Sequence, residues 1–241
     1  MWVVMTRKVA ILQNITREGP GLLLNVLEAQ SVPYTLCDLS QGDPLPDEDS
    51  LLAVVILGGP DSANDNTLKI RQELQLIRQV LKRQIPYLGI CLGMQLLVKA
   101  GGGKVLPCHT PEIGFRNGNG QFYRVQLTQA GRQDPLLSGV SRTFPIFHLH
   151  GETVELTTGM QLLGIGNDCP VQLVKVGTKA YGIQGHVEIT ETMLKLWLKE
   201  DPDLIRLGNA EGILRDFHAL KSELHTAGER IFRNFLMMIN P

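Results

Sequence analysis

An excess of charge of either sign is what this 241-residue sequence lacks. Its 23 Lys and Arg offset 24 Asp and Glu, for a formal net charge of -1, so there is no electrostatic footprint for nucleic acid or an anionic membrane. Neither partner is expected. No apolar run approaches the roughly 18 residues that a membrane span requires. The opening MWVVMTRKVAILQ meets Arg7 and Lys8 too early for a secretory signal core. Cysteines are few and scattered: Cys37, Cys91, Cys108 and Cys169 form no CxxC pair and have no His at zinc-type spacing. Cys108-His109 offers two ligands without companions, so no metal and no cofactor is expected. Such cysteine usage fits a reducing compartment, and the cytoplasm is the expected location. With 43% hydrophobic and 20% charged residues, and no repeat, low-complexity tract or linker, residues 1–241 read as a single domain with a sizeable core.

What is present begins as alternating strands and helices. Val9 to Leu12 reads as a buried strand, Gly19-Pro20-Gly21 opens a helix through Leu27, and Tyr34 to Cys37 is the next strand. The acidic, Pro-rich QGDPLPDED is a surface loop. Leu51 to Leu57, LLAVVIL, is an unalternating apolar run of the kind a strand covered on both faces requires, and it ends in Gly58-Gly59-Pro60. The spacing of Leu68, Ile70, Leu74, Ile77, Val80 and Leu81 predicts an amphipathic helix over 66–83. A short strand over 86–90 comes next. This pattern implies an α/β fold with a doubly wound, flavodoxin-like, mostly parallel sheet flanked by helices, whose sites lie beyond the carboxyl ends of the strands. After Gly103 the texture turns β-rich, with strands expected at 122–127, 145–148, 161–165, 171–176 and 181–184. This reads as a small antiparallel extension. Helices near 190–199 and 211–239 close the chain.

The chemistry centres on Gly89-Ile90-Cys91-Leu92-Gly93. A G-x-C-x-G between an apolar strand and a helix has the form of a nucleophile elbow, more often written with Ser. The glycines permit a sharp strand-to-helix turn that pushes the thiol out over the strand ends. The helix N-terminus behind it favours thiolate and offers free N–H groups to an oxyanion. Such a nucleophile needs a base oriented by a carboxylate. Two His-x-Glu pairs qualify on spacing, His150-Gly-Glu152 and His186-Val-Glu188. Context favours the second, because Tyr181 to Gln184 reads as a strand delivering His186 at its end.

Together the segments LGGPDS (57–62), PYLGICLGMQLL (86–97), FHLHGETVEL (147–156), CPVQLV (169–174) and GIQGHVE (182–188) resemble, in order and spacing, a class I glutamine amidotransferase domain. The stand-alone proteins related to the amidotransferase half of GMP synthase are the most similar type. The resemblance implies that Cys91 is the nucleophile, His186 the general base and Glu188 the group that orients it. It also implies oxyanion donors at Gly59 and Leu92, and substrate contacts at Gly58, Gln95, Leu149 and His150. The implied reaction is hydrolysis of glutamine to glutamate and ammonia through a γ-glutamyl thioester, with the ammonia passed to a separate synthetase or ligase partner. Three positions depart from the family pattern: Glu152 replaces the usual Asp, Val187 the usual Pro, and Gly185 a bulkier residue. The last is expected to widen the pocket beside the base, which keeps a second reading open, a γ-glutamyl hydrolase or peptidase acting on larger γ-glutamyl compounds. A scaffold that kept the fold and lost activity is a third.

Overall fold

The computed structural model describes residues 7–239; the apolar stretch ahead of Arg7, too short for a signal core, lies outside the described residues. The first half runs β1 (Lys8–Gln13), α1 (Leu22–Ala29), β2 (Tyr34–Asp38), β3 (Leu51–Ile56), α2 (Leu68–Lys82), β4 (Tyr87–Ile90) and α3 (Leu92–Ala100). The second half continues with β5 (Lys104–Gly114), β6 (Arg124–Leu127), α4 (Gln129–Gln133), β7 (Thr143–Pro145), β8 (His148–Glu155), β9 (Met160–Ile165), β10 (Leu173–Val176) and β11 (Ala180–Ile183). Helices α5 (Glu191–Glu200), α6 (Pro202–Leu207) and α7 (Ala210–Ile239) complete it. Helix starts are set by side-chain caps where the sequence provides them. Thr67 accepts from Ile70 N–H at 3.2 Å and Thr190 from Met193 N–H at 3.3 Å, each satisfying a donor the first helical turn leaves free.

Nine strands form one sheet in the order β2-β1-β3-β4-β11-β10-β9-β6-β7. From β2 to β11 the pairings are parallel, and from β11 to β7 they are antiparallel. The fold is thus α/β and doubly wound as expected, but the sheet is mixed: most of the antiparallel half continues the central sheet. A separate antiparallel pair, β5 with β8, stands beside it. Strand β5 is unforeseen because KVLPCHTPEIG contains two prolines. They are tolerated because β5 pairs on one side only and its register shifts between Pro107 and Glu112. The run expected at 145–148 divides between two strands, since Pro145 ends β7 and His148 opens β8.

Strand periodicity accounts for the two-sided core. Val9, Ile11, Ala53, Val55, Leu88 and Ile90 face the cluster that includes α1 and the C-terminal half of α7. Their neighbours Ala10, Leu12, Val54, Ile56 and Tyr87 face α2 and α3. A third cluster, around Phe147, Trp197 and Phe217, joins α5, α6 and the first half of α7 beyond the strand ends. Among the described residues, no helix is long and apolar enough to cross a membrane.

Helix α3 lies so close to the sheet that a Cβ on Gly93 would stand 2.1 Å from the Ile56 carbonyl oxygen, and one on Gly89 would stand 2.3 Å from the Gly93 backbone. Both obstacles are main chain and cannot rotate away. Gly93→Ala is therefore expected to lose about 1–3 kcal/mol of stability in urea unfolding, the usual range for overpacking. Gly159→Ala, at a position with nothing within 4 Å, is expected to lose none.

Candidate active site

Strands β4 and β11 lie side by side in parallel register, with Gly89 opposite Gly182 and Ile90 opposite Ile183. The ladder extends one step further, Cys91 N–H donating to Ile183 O at 2.8 Å. The segments leaving the two strands therefore emerge at the same edge, Cys91 from one and Gln184 to Glu188 from the other. Cys91 itself has φ 51° and ψ -109°, a conformation costly for any residue with a side chain and concentrated at functional sites. Close packing by Gly89 and Gly93 holds it there.

His186 is fixed from several directions. Its N–H donates to Phe147 O at 2.8 Å, its ring stands edge-on to Trp197 with centroids 4.9 Å apart, and Nδ1 is 2.6 Å from Glu188 Oε1. Both side chains of that pair are buried. The other ring nitrogen, Nε2, has no hydrogen-bond partner among the described residues. Burial alone would lower the His186 pKa, but the Glu188 carboxylate and the nearby Cys91 thiol outweigh it and hold the value well above that of ordinary imidazole. The loop carrying Glu188 is anchored in turn: Leu22 N–H at the start of α1 donates to Glu188 O at 2.9 Å, and Val187, fully buried, joins the core beneath α7.

A cleft of about 490 Å³ opens over Cys91, lined by Gly59, Gln95, Leu149, His150 and Glu152 among others. Cys91 Sγ lies 3.8 Å from Leu149 O and receives Gln184 Nε2 at 3.9 Å. Gln95 is buried, and its Nε2 donates to Glu152 O at 3.2 Å, tying α3 to β8. Glu152 turns its carboxylate toward Ser62 Oγ at 2.9 Å. Gly59 packs against Leu92, whose Cδ2 is 3.4 Å from the Cβ position of Gly59, so the two expected oxyanion positions adjoin. Leu92 opens α3, where the first N–H groups have no partner within the helix. Gly58 sits behind the cleft wall, its Cβ position 3.0 Å from His186 Cε1 and 3.4 Å from Cys91 Cβ.

The expectation for Gly185 is overturned. A Cβ there would meet Ile146 Cγ1 at 2.6 Å and the His148 ring at 2.8 Å. The space a larger residue would take is filled by other side chains, and the pocket beside the base is not widened.

Sequence reading missed Glu18 and Glu112. Glu18 lines the cleft while only 5% exposed, and burial raises its pKa to about 7 despite nearby His186 and Arg17. Its signal was position: it comes after β1, at the same strand-end face as the other loops. Glu112, 1% exposed, accepts from Cys169 N–H (3.2 Å) and Gln172 Nε2 (3.0 Å), and its Oε2 lies 2.9 Å from His150 Nε2. Burial and the neighbouring His150 and His186 hold the His148 pKa well below its ordinary value. The Cys108 and Cys169 thiols titrate together, each changing the other: their closeness lowers the pKa of Cys169 and raises that of Cys108. His150 lines the cleft and lies against Glu112, whereas His186 lies against Glu188 and shares Gly58 as a neighbour with Cys91.

The family profile for class I glutamine amidotransferases matches residues 12–200. The glutamine amidotransferase-like protein YfeJ of Salmonella typhimurium is 30% identical over 179 residues, 72% of each chain. The glutamine-hydrolysing GMP synthase of Porphyromonas gingivalis is 32% identical over 157 residues, which are 64% of this chain but 28% of that protein. Among solved structures, a glutamine amidotransferase from Methylobacillus flagellatus superposes with a TM-score of 0.85 at 26% identity, covering 96% of this chain and 95% of that one. The fold is shared also with a glutamine amidotransferase of Thermotoga maritima, with a TM-score of 0.83 at 24% identity over 98% and 99% of the two chains. The match over residues 12–200 and the likeness to YfeJ make this chain a member of the class I glutamine amidotransferase family.

Proposed function

We propose that residues 1–241 act as one glutaminase unit in which Cys91 attacks the side-chain amide carbon of glutamine. The observation that carries this reading is the convergence of a strained elbow cysteine with a buried His186–Glu188 contact of 2.6 Å, Cys91 Cβ and the His186 ring both standing against Gly58. Glu188 stabilises the imidazolium, and the imidazolium stabilises the thiolate. As the thiolate adds, negative charge develops on the amide oxygen, which the N–H groups of Gly59 and Leu92 receive. His186 then protonates the departing ammonia, leaving a γ-glutamyl thioester. Water, deprotonated by the same imidazole, releases glutamate and restores the thiol.

Gln95, Leu149 and His150 line the cleft and hold the substrate there, with Gly58 behind the wall against His186 and Cys91. The ammonia goes to a separate synthetase or ligase, a reading supported by the GMP synthases, of which this chain spans about a quarter. With the space beside Gly185 occupied, nothing favours a larger γ-glutamyl compound over glutamine.

Purified chain, alone and with a candidate synthetase and its ATP, is expected to release glutamate and ammonia from glutamine in preference to a panel of γ-glutamyl amides. Cys91→Ala is expected to abolish turnover, by at least about 10³-fold, and to prevent labelling by a glutamine-like electrophile. Full activity in that variant would sink the site assignment, and a preference for larger γ-glutamyl amides would favour the hydrolase.

The pH profile tests Glu188. Its carboxylate raises the His186 pKa, so the imidazolium needed to protonate ammonia persists to higher pH than a free histidine would allow. Glu188→Gln removes the charge, lowers that pKa and should move the alkaline limb of kcat/KM to lower pH, with a loss in kcat of about 10²–10⁴-fold. An alkaline limb that does not move would mean Glu188 does not act through His186.

A further inference from the structure

We propose that Cys108, Cys169 and Nδ1 of His150 form a divalent-metal site of the kind zinc takes, set into the wall of the cleft. The three ligands come from segments far apart in sequence: Cys108 from the bulge of β5, His150 from β8 and Cys169 from the loop between β9 and β10. Their donor atoms all lie within 4.8 Å of one another. Cys108 Sγ is 3.6 Å from His150 Nδ1. Zinc bonds of about 2.3 Å to sulfur and about 2.0–2.1 Å to nitrogen, at tetrahedral angles, put those atoms about 3.6 Å apart. His109, the sequence neighbour of Cys108, is exposed and takes no part.

The tautomer needed is the one the surroundings favour. Glu112 accepts N–H groups from Cys169 and Gln172, as a carboxylate does, so His150 Nε2 at 2.9 Å carries the proton that points to it. Nδ1 is left with a lone pair. It faces Cys108 Sγ, whose S–H donates to it until the proton gives way to a metal, and, at 3.0 Å, Glu152 O, so that on ionisation of the thiol three electron-pair donors converge. A carboxylate on the far nitrogen is the usual support of a metal-bound histidine, fixing its ring and raising its basicity. Two sulfurs and one imidazole suit zinc better than a hard cation. Three protein ligands leave a fourth position for Glu152 O or water, and the half-exposed Cys108 gives the ion a way in. The neighbouring group of Glu112, His148 and His150 has no sulfur and shares the carboxylate that orients His150; it is the support of this site, not a competitor.

An ion here would tie β5, β8 and the Cys169 loop together behind Leu149 to Glu152, the stretch that lines the cleft and receives Gln95. The site stands whether or not the cleft takes glutamine, so its test does not rely on turnover. The experiment is a Co²⁺ titration of reduced protein in the Cys91→Ala background, so that the nucleophile supplies no sulfur, with Zn²⁺ competition afterwards. One Co²⁺ per chain is expected, with thiolate-to-cobalt charge-transfer absorption and the intense visible bands of a tetrahedral ion, both displaced by Zn²⁺. Cys108→Ser and Cys169→Ser should each diminish the charge-transfer band, and the double variant should abolish it. Glu112→Gln should keep the spectrum and weaken affinity about 10–100-fold. Absence of saturable binding overturns the proposal in favour of an imidazolium held between Glu112 and the Glu152 carbonyl. Binding that survives the double cysteine variant also overturns it, as does a freshly purified mass two hydrogens low from a Cys108–Cys169 disulfide that persists after reductant.

Discussion

The in-register pairing of β4 with β11 is the constraint on which the site depends. Two adjacent parallel strands must end on the same side of a sheet, and the bond from Cys91 N–H to Ile183 O carries their alignment to the last residue before the turn. Cys91 and His186, the proposed nucleophile and base, are therefore brought to one edge by backbone hydrogen bonds, which vary little with side-chain identity. The loop after β11 then places Glu188 against His186 Nδ1, and the carboxylate raises the imidazole pKa against the opposing effect of burial.

Around this rigid centre the second layer is made of buried polar groups. Glu112 gathers His150, Gln172 and the Cys169 N–H, and a carboxylate so fully partnered fixes the geometry of everything that donates to it. Asn14 plays a similar part under the Gly59 loop, reaching Glu73 Oε1 at 3.1 Å. Glu73 is itself so buried that its pKa rises to about 7. These carboxyls come from segments that the linear sequence keeps far apart.

That distance explains what could be read in advance. GICLG announces itself because the elbow's needs are local: a strand, a turn that excludes side chains, a helix. LLAVVIL announces a buried strand because both of its faces meet helices. HVE could be matched to the cysteine only through its place at the end of an apolar strand and through the family pattern. By contrast, β5 hides behind two prolines, Glu18 looks like one more loop carboxylate, and Cys108 and Cys169 become neighbours only through a bulge that no periodicity records. Gly185 shows the opposite failure. A missing side chain suggests space, but Ile146 and His148 had already taken it.

The separate β5–β8 pair has a mechanical meaning. The proposed nucleophile and base stand at the end of a nine-stranded sheet with helices on both faces, whereas the far wall of the cleft stands on two strands, one of them interrupted by a bulge. Phe147 is bonded to His186, and three residues on, His150 already belongs to the wall. The nine-stranded sheet and the two-stranded wall thus meet along one short stretch of chain, so a substitution between Phe147 and His150 reaches the support of His186 and the cleft wall together.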